Sequence, residues 1–134
     1  LIGLQQYRLL AVNWRNEMKQ NIDVLTLSVI AATTIAKGQL VTLDGNVAIT
    51  EKDAHGVAVY DAAVGDVFPV IVLGTAAATA AADITAGQRL QVATEGEVAP
   101  HVAGVPVAIA VESAATGEFV EVLICSAGIA GTTV

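Results

Sequence analysis

Ile35-Ala36-Lys37-Gly38-Gln39-Leu40-Val41-Thr42-Leu43-Asp44-Gly45-Asn46-Val47-Ala48-Ile49 is the stretch whose reading decides the fold. Lys37-Gly38 reads as a bend, because glycine adopts positive φ without a steric cost. Leu40, Val41 and Leu43 follow as strand material. Asp44-Gly45 is a short hairpin signal, since both central turn positions favour residues that tolerate left-handed backbone. Val47 and Ile49 then read as the return strand.

The unit comes back as Ile84-Thr85-Ala86-Gly87-Gln88-Arg89-Leu90-Gln91-Val92-Ala93-Thr94-Glu95-Gly96-Glu97-Val98-Ala99. Ile35, Gly38 and Gln39 recur 49 residues later as Ile84, Gly87 and Gln88. Gly45 and Val47 recur 51 residues later as Gly96 and Val98, so the second copy carries two extra residues around its turn. Tyr60-Asp61-Ala62-Ala63-Val64-Gly65-Asp66-Val67 matches Glu112-Ser113-Ala114-Ala115-Thr116-Gly117-Glu118-Phe119 at an offset of 52. The duplication therefore covers two halves, about 34–73 and 83–124.

Other segments fit between and around these halves. Ile22, Val24, Leu25, Leu27, Val29 and Ile30 interleave with Asp23, Thr26 and Ser28, which predicts a strand with doubled apolar pairs. Gly56 to Tyr60 is a further strand. Val67 to Leu73 is a strongly apolar one, ended by Gly74, with Pro69 arguing for an edge or a bulge. Thr75 to Ala82 is nearly all Ala and Thr and is expected to be an extended or loosely helical connector. Val102 to Val111 is strand material broken by Gly104 and Pro106, and Phe119 to Cys125 is the last strand. Short strands at even spacing with Gly turns predict an all-β fold, a small β-barrel or sandwich with internal duplication. Two similar halves suggest a pseudo-two-fold within it. Two copies are too few for a solenoid.

The 134 residues are enough for one core without disulfides or metals. Hydrophobic residues make up 54% and aromatics only 4%, so Val, Ile, Leu and Ala must build that core. Charged residues are 14%, against roughly 25% in an average soluble domain. Such a chain has apolar surface to cover, which marks it as a subunit of an assembly. No uninterrupted apolar run reaches the roughly 20 residues of a membrane helix, so no membrane span is expected. The opening residues do not read as a signal peptide, and whether residues precede Leu1 stays open.

Residues 1–20 hold three basic side chains against one acidic, while residues 21–134 hold three basic against twelve acidic. An acidic body is a poor match for a phosphate backbone, so nucleic acid is not an expected partner. Domain organisation follows: an N-terminal arm or short helix over 1–21, a duplicated β-domain over 22–126, and a Gly- and Thr-rich tail over 127–134. Leu4, Tyr7, Leu10, Trp14 and Met18 fall near helical spacing, with Arg8 and Arg15 among them. One reading packs this helix on its own domain. The other makes Leu4, Tyr7, Arg8, Leu10, Trp14, Arg15 and Met18 a partner-binding arm, in line with the enrichment of Trp, Tyr, Met and Arg in interface cores.

Residues for catalysis are not arranged for it. The single cysteine, Cys125, lies in an apolar strand-like run and reads as a core residue. His55 and His101 have no metal-ligand spacing around them and read as solvated loop residues. Asp44 and Asp66 are better turn formers than a catalytic pair. No phosphate loop, dinucleotide fingerprint, nucleophile elbow or calcium loop is present. No cofactor and no metal is expected, and the chain does not read as an enzyme. Lys52, in Glu51-Lys52-Asp53-Ala54 after a hairpin of a duplicated all-β chain, leaves a lipoyl- or biotin-type carrier domain as a minor alternative.

Ala36-Lys37-Gly38-Gln39-Leu40-Val41, His55 to Val70 and Ile84-Thr85-Ala86-Gly87-Gln88-Arg89-Leu90 carry a family resemblance. Over residues 22–125 the chain resembles the capsid cement, or head decoration, proteins of tailed bacteriophages. The resemblance implies a β-rich structural virion protein, made in the host cytoplasm, that assembles as a homotrimer on the outer surface of an icosahedral head. The major capsid protein would be its partner and stabilisation of the head its role. A tail or fibre component is the alternative structural reading.

Overall fold

A computed structural model describes residues 21–124. Within them the chain forms eight strands: β1 (Ile22–Ile30), β2 (Leu40–Val41), β3 (Gly56–Ala58), β4 (Val67–Thr79), β5 (Arg89–Val92), β6 (Val98–Pro100), β7 (Pro106–Ala110) and β8 (Phe119–Ile124). A single 3-10 turn at Thr94–Gly96 is the one helical element among the described residues. The strands run in the order β2-β3-β4-β8-β7-β5-β6, with β1 added on β4. A parallel bridge from Ala80 to Val98 brings the far end of this sheet back to the end of β4. The result is an all-β, nearly closed barrel-shaped sheet.

β4 is the strand around which everything is arranged. Val70 and Ile71 pair with Leu27 and Thr26 of β1 on one edge and with Ala58 and Val57 of β3 on the other. Further along, Thr75 pairs with Ile22 on the β1 side and Leu123 of β8 on the opposite side. β3 and β8 therefore share one edge of β4 end to end, and β1 occupies the other. This corrects two expectations. Gly74 does not end the strand: it takes φ +111°, and β4 runs on through Thr75–Thr79 as regular ladder with β8. Ala76, Ala77 and Ala78 are all buried. Alanine's helix propensity is a weak prior, and here the ladder and burial of the small side chains overrule it. Pro69 is neither on an edge strand nor at a bulge, for it lies in register opposite Ser28. Its carbonyl accepts the Val59 N–H, so its missing donor faces the place where the β3 ladder stops.

Alternation divides the interior into two clusters. Leu40, Val57 and Ile71 point into the larger core with Leu90, Val92, Val98, Val107, Val120 and Val122. Their sequence neighbours Val41, Ala58 and Val70 point the other way, into a smaller core with Val29, Ile35, Phe68 and Val72. Each fully buried Val, Leu or Ile contributes about 1.5–3 kcal/mol of burial energy, so a nearly Phe-free interior suffices at this length.

The duplication is visible bond by bond. Gln39 Oε1 accepts the Ala36 N–H, and Gln88 Oε1 accepts the Thr85 N–H, each at 2.8 Å. The Gly38 N–H donates to Ala58 O and the Gly87 N–H to Ala110 O. Ile35 bridges to Ala62, and Ile84 bridges to Ala114. The Ala31 N–H donates to Asp66 O, and the Ala80 N–H to Glu118 O. This last pair extends the correspondence upstream: β1 stands to the start of β4 as the end of β4 stands to β8. The halves are thus in tandem and share β4. A pseudo-two-fold would make their contacts reciprocal, and they are one-way: the Thr79 N–H donates to Gly38 O, while no bond joins Ile30 to Gly87.

Candidate functional site

One open, shallow cleft is lined by Thr34, Ile35, Ala36, Asp61, Ala62, Ala63 and Asp66. Its two carboxylates are committed to the backbone. Asp61 Oδ1 accepts the Lys37 N–H at 2.7 Å, and Asp66 Oδ2 accepts the Ala63 N–H at 3.0 Å. These bonds fix the loops, as expected of turn-forming Asp. Asp44 likewise serves its turn: its carboxylate accepts from the Thr42 hydroxyl, which holds its pKa below the usual carboxylate range, with Asn46 adding to the effect.

The histidines are structural too. His55 Nδ1 accepts the Leu43 N–H at 2.9 Å, so its proton sits on Nε2. His101 Nε2 lies 2.9 Å from Gly104 O. Among the described residues, no three His, Cys, Asp or Glu side chains come together to hold a metal ion. Lys52 is exposed in a turn, its N–H bonded to Ile49 O. Leu4, Tyr7, Arg8, Leu10, Trp14, Arg15, Met18 and Cys125 lie outside the described residues.

The feature that stands out is apolar and on the surface. β1 is the strand that its apolar residues predict, and of its nine residues only Val29 is buried. Val24 is 74% exposed, and Ile22, Leu25, Leu27 and Ile30 are exposed as well. Leu73 and Val67 of β4, which pair with Leu25 and Ile30, continue the patch. Register shifts at Asp23/Leu25 and Leu25/Thr26 leave Val24 unpaired on β1 and Val72 unpaired on β4. Such bulges twist an edge and redirect its side chains. Among the described residues the outer edge of β1 has no ladder partner, so it also presents backbone donors and acceptors. One signal for this was in the sequence: the doubled pairs Val24-Leu25 and Val29-Ile30 place apolar residues on both faces, which a strand with one wet face does not do.

A long apolar strand on an open edge is a feature of the kind that contacts between protein chains use. The family model for phage cement proteins matches residues 19–125. The chain belongs to the phage cement protein family. A family member of this kind is a structural protein of the phage capsid, so its business is contact with other virion proteins. Among solved structures, it is similar to the head fiber gp8.5 N base of bacteriophage phi29, with TM-score 0.62 and 23% sequence identity. That match covers 76% of this chain and 94% of the other. At this identity it bears on the fold, which the two share. A search of curated proteins gave no match.

Proposed function

We propose that this cement protein decorates the outer surface of an icosahedral phage head, binds the major capsid protein there and stabilises the shell. In this reading it is made in the host cytoplasm and assembles as a homotrimer. Residues 1–21 serve as an arm, residues 22–126 as the body and 127–134 as a tail. The observation that carries the reading is the open, apolar edge strand β1, on which the body has left surface uncovered. The acidic remainder of the body keeps such a molecule soluble before assembly.

Each contact can be modest, because many copies act on one shell and an arm raises the effective concentration of the body. Leu4, Tyr7, Arg8, Leu10, Trp14, Arg15 and Met18 supply the arm's contacts, through residues of the kinds favoured in interface cores. The test is co-sedimentation with heads. Full-length protein should pellet with heads and raise the temperature at which they release DNA. A variant lacking residues 1–20 should keep the far-UV spectrum of the β-body and lose head binding. Undiminished binding by that variant would remove the arm from the reading, and binding to tails but not heads would replace decoration with the tail-component alternative.

A further inference from the structure

The one-way contact between the halves leaves two unmatched surfaces. In the contact that exists, the first half's bend sits on the second half's strand edge. The Thr79 N–H donates to Gly38 O at 3.1 Å. A Cβ built on Gly38 would lie 2.6 Å from Phe119 Cε1 and 3.0 Å from Thr79 Oγ1. Lys37 Nζ stands 5.8 Å from the centre of the Phe119 ring. Gln39 Nε2 donates to Glu95 O at 2.9 Å. Gly38, with these neighbours, is buried.

The corresponding side chains at the two outer ends are exposed; on the Ile30 side the chain's own Gly45 covers the Ile30 carbonyl and accepts the Ala32 N–H, and the Ile30 N–H is left. Gly87, which matches Gly38, is exposed, and a Cβ built on it would meet nothing within 4 Å. Gln88 matches Gln39: its Oε1 is used in the same way, and its Nε2 has no partner among the described residues. At the other end Ile30 matches Thr79, and Val67 matches Phe119. Ile30 is 65% exposed and Val67 66%. The Ile30 N–H points off the sheet edge as the Thr79 N–H does, because the neighbouring Ala31 and Ala80 N–H groups turn inward to Asp66 and Glu118.

We infer that a second copy of this chain completes the series: the Thr85–Gln88 bend of one copy docks on the Ile30–Val67 edge of the next, repeating between copies the contact that Gly38 makes within one. Gly87 O would accept the Ile30 N–H, and Gln88 Nε2 would lie toward the Asp44 turn, the counterpart in sequence of Thr94-Glu95-Gly96, which sits against this edge through Gly45 O and the Ala32 N–H. Charge fits the same pairing. Arg89, in the place of Leu40, is an exposed cation next to the bend, and Asp44 is an exposed carboxylate at the receiving turn. The exposed apolar surface of β1 continues away from Ile30, so the contact can widen beyond the bend. The interface is heterologous, since a bend meets an edge, and such an interface builds a closed ring when its rotation closes. The inference rests on the self-association in the proposed function and supplies its contact. It does not depend on head binding.

The test uses the full chain with Cys125→Ser, so that added thiols stand alone. Ala86 matches Lys37, the residue over Phe119, so Val67→Cys and Ala86→Cys place thiols on the two sides of the contact. Variants carrying one substitution each, mixed and oxidised, should give a disulfide-linked heterodimer. The double variant should give linked oligomers up to the size of the native ring. Val67→Glu should make the chain monomeric in sedimentation velocity with its thermal unfolding unchanged, and Val67→Phe should tighten association at least severalfold. A native oligomer that neither cross-links nor responds to Val67→Glu overturns this interface while self-association stands. A chain that is monomeric at all concentrations overturns self-association itself, whatever it does with heads.

Discussion

Val67-Phe68 in the first half and Phe119-Val120 in the second carry the same two residue types in opposite order. Alternation on a strand turns that exchange into an exchange of faces. Phe68 is 1% exposed and anchors the smaller core, whereas Phe119 is 40% exposed and covers Gly38 from outside. Val120 is fully buried in the larger core, whereas Val67 stands out on the surface. One half therefore uses its aromatic ring to make an interior, and the other uses its ring to hold its neighbour. The first half lacks that ring on its own outer edge, and this is the edge left open. Duplication gave two equal scaffolds. The order of two adjacent residues is what distinguishes the Phe119 joint from the Val67 edge.

The largest expected effect tests this difference of role. Phe68→Ala should cost about 3–5 kcal/mol, the range for removing a ring from a well-packed core. Phe119→Ala removes a ring already partly in water, together with a cation–π contact worth about 0.5–1 kcal/mol at an exposed site. Urea unfolding of the two variants measures the contrast. Equal losses would mean that Phe119 is as much a core residue as Phe68, and that the distinction between interior and joint is mistaken.

The bends sharpen the comparison at the next level. Gly38→Ala and Gly87→Ala share the cost of placing a side chain at positive φ, about 1–2 kcal/mol. Only Gly38→Ala must also push Phe119 and Thr79 aside, and overpacking of this kind adds about 1–3 kcal/mol. The free chain should therefore lose more stability from Gly38→Ala, by that difference, in denaturant titrations below the association concentration. A smaller loss at Gly38 than at Gly87 would show that the Phe119 ring swings away freely and does not clamp the bend.

Much of this was legible in the sequence, and the residues show why. The bends, turns and duplication were readable because they depend on local chemistry: Gly at positive φ, Gln three residues after the N–H it caps, an acid closing the Ala-rich loop. The strand character of Thr75–Thr79 was hidden, since alanines and threonines have no alternation to display and only the ladder with β8 gives them a conformation. The exposure of β1 was half visible in its doubled apolar pairs. What fixes it is that no described element packs over the strand, a fact about tertiary arrangement. The arrangement of the halves could not be read either, because self-similarity in a sequence is the same for a two-fold pair as for a tandem one. The family was legible from the motifs over residues 22–125, and the matched range of 19–125 agrees. The arm residues lay outside that resemblance as well as outside the described structure.

The glutamines provide a finer probe of the same asymmetry. Gln39 makes two side-chain hydrogen bonds, one within its bend and one across to Glu95 O. Gln88 makes only the first kind among the described residues. Gln39→Ala should cost more than Gln88→Ala in the monomer by about 0.5–1.5 kcal/mol, the net worth of one such bond. In the assembled protein the gap should narrow, because Gln88 then gains its partner in the next copy. Chemical unfolding at low and high protein concentration reads both states. A gap independent of concentration would place Gln88 outside the contact between copies.

The smallest effect belongs to the turns. The first half's turn carries Asp44 with Thr42 donating to it, while the second has Ala93 in the place of Thr42 and can form no such bond. Because the folded state holds the Asp44 pKa below its unfolded value, Asp44 contributes stability above the unfolded pKa and loses it as pH falls through the folded one. The window therefore opens near pH ~4, the ordinary value for Asp, and extends downward. Asp44 is exposed, so solvent screening keeps its share small. Asp44→Asn keeps the turn-forming side chain and removes the titration. Thermal unfolding followed from pH 6 to pH 3 should fall slightly less steeply for this variant than for the parent, with the two curves parallel above pH 5. A variant whose curve fell as steeply as the parent's would show that the Thr42–Asp44 bond has no share in the acid sensitivity of the fold.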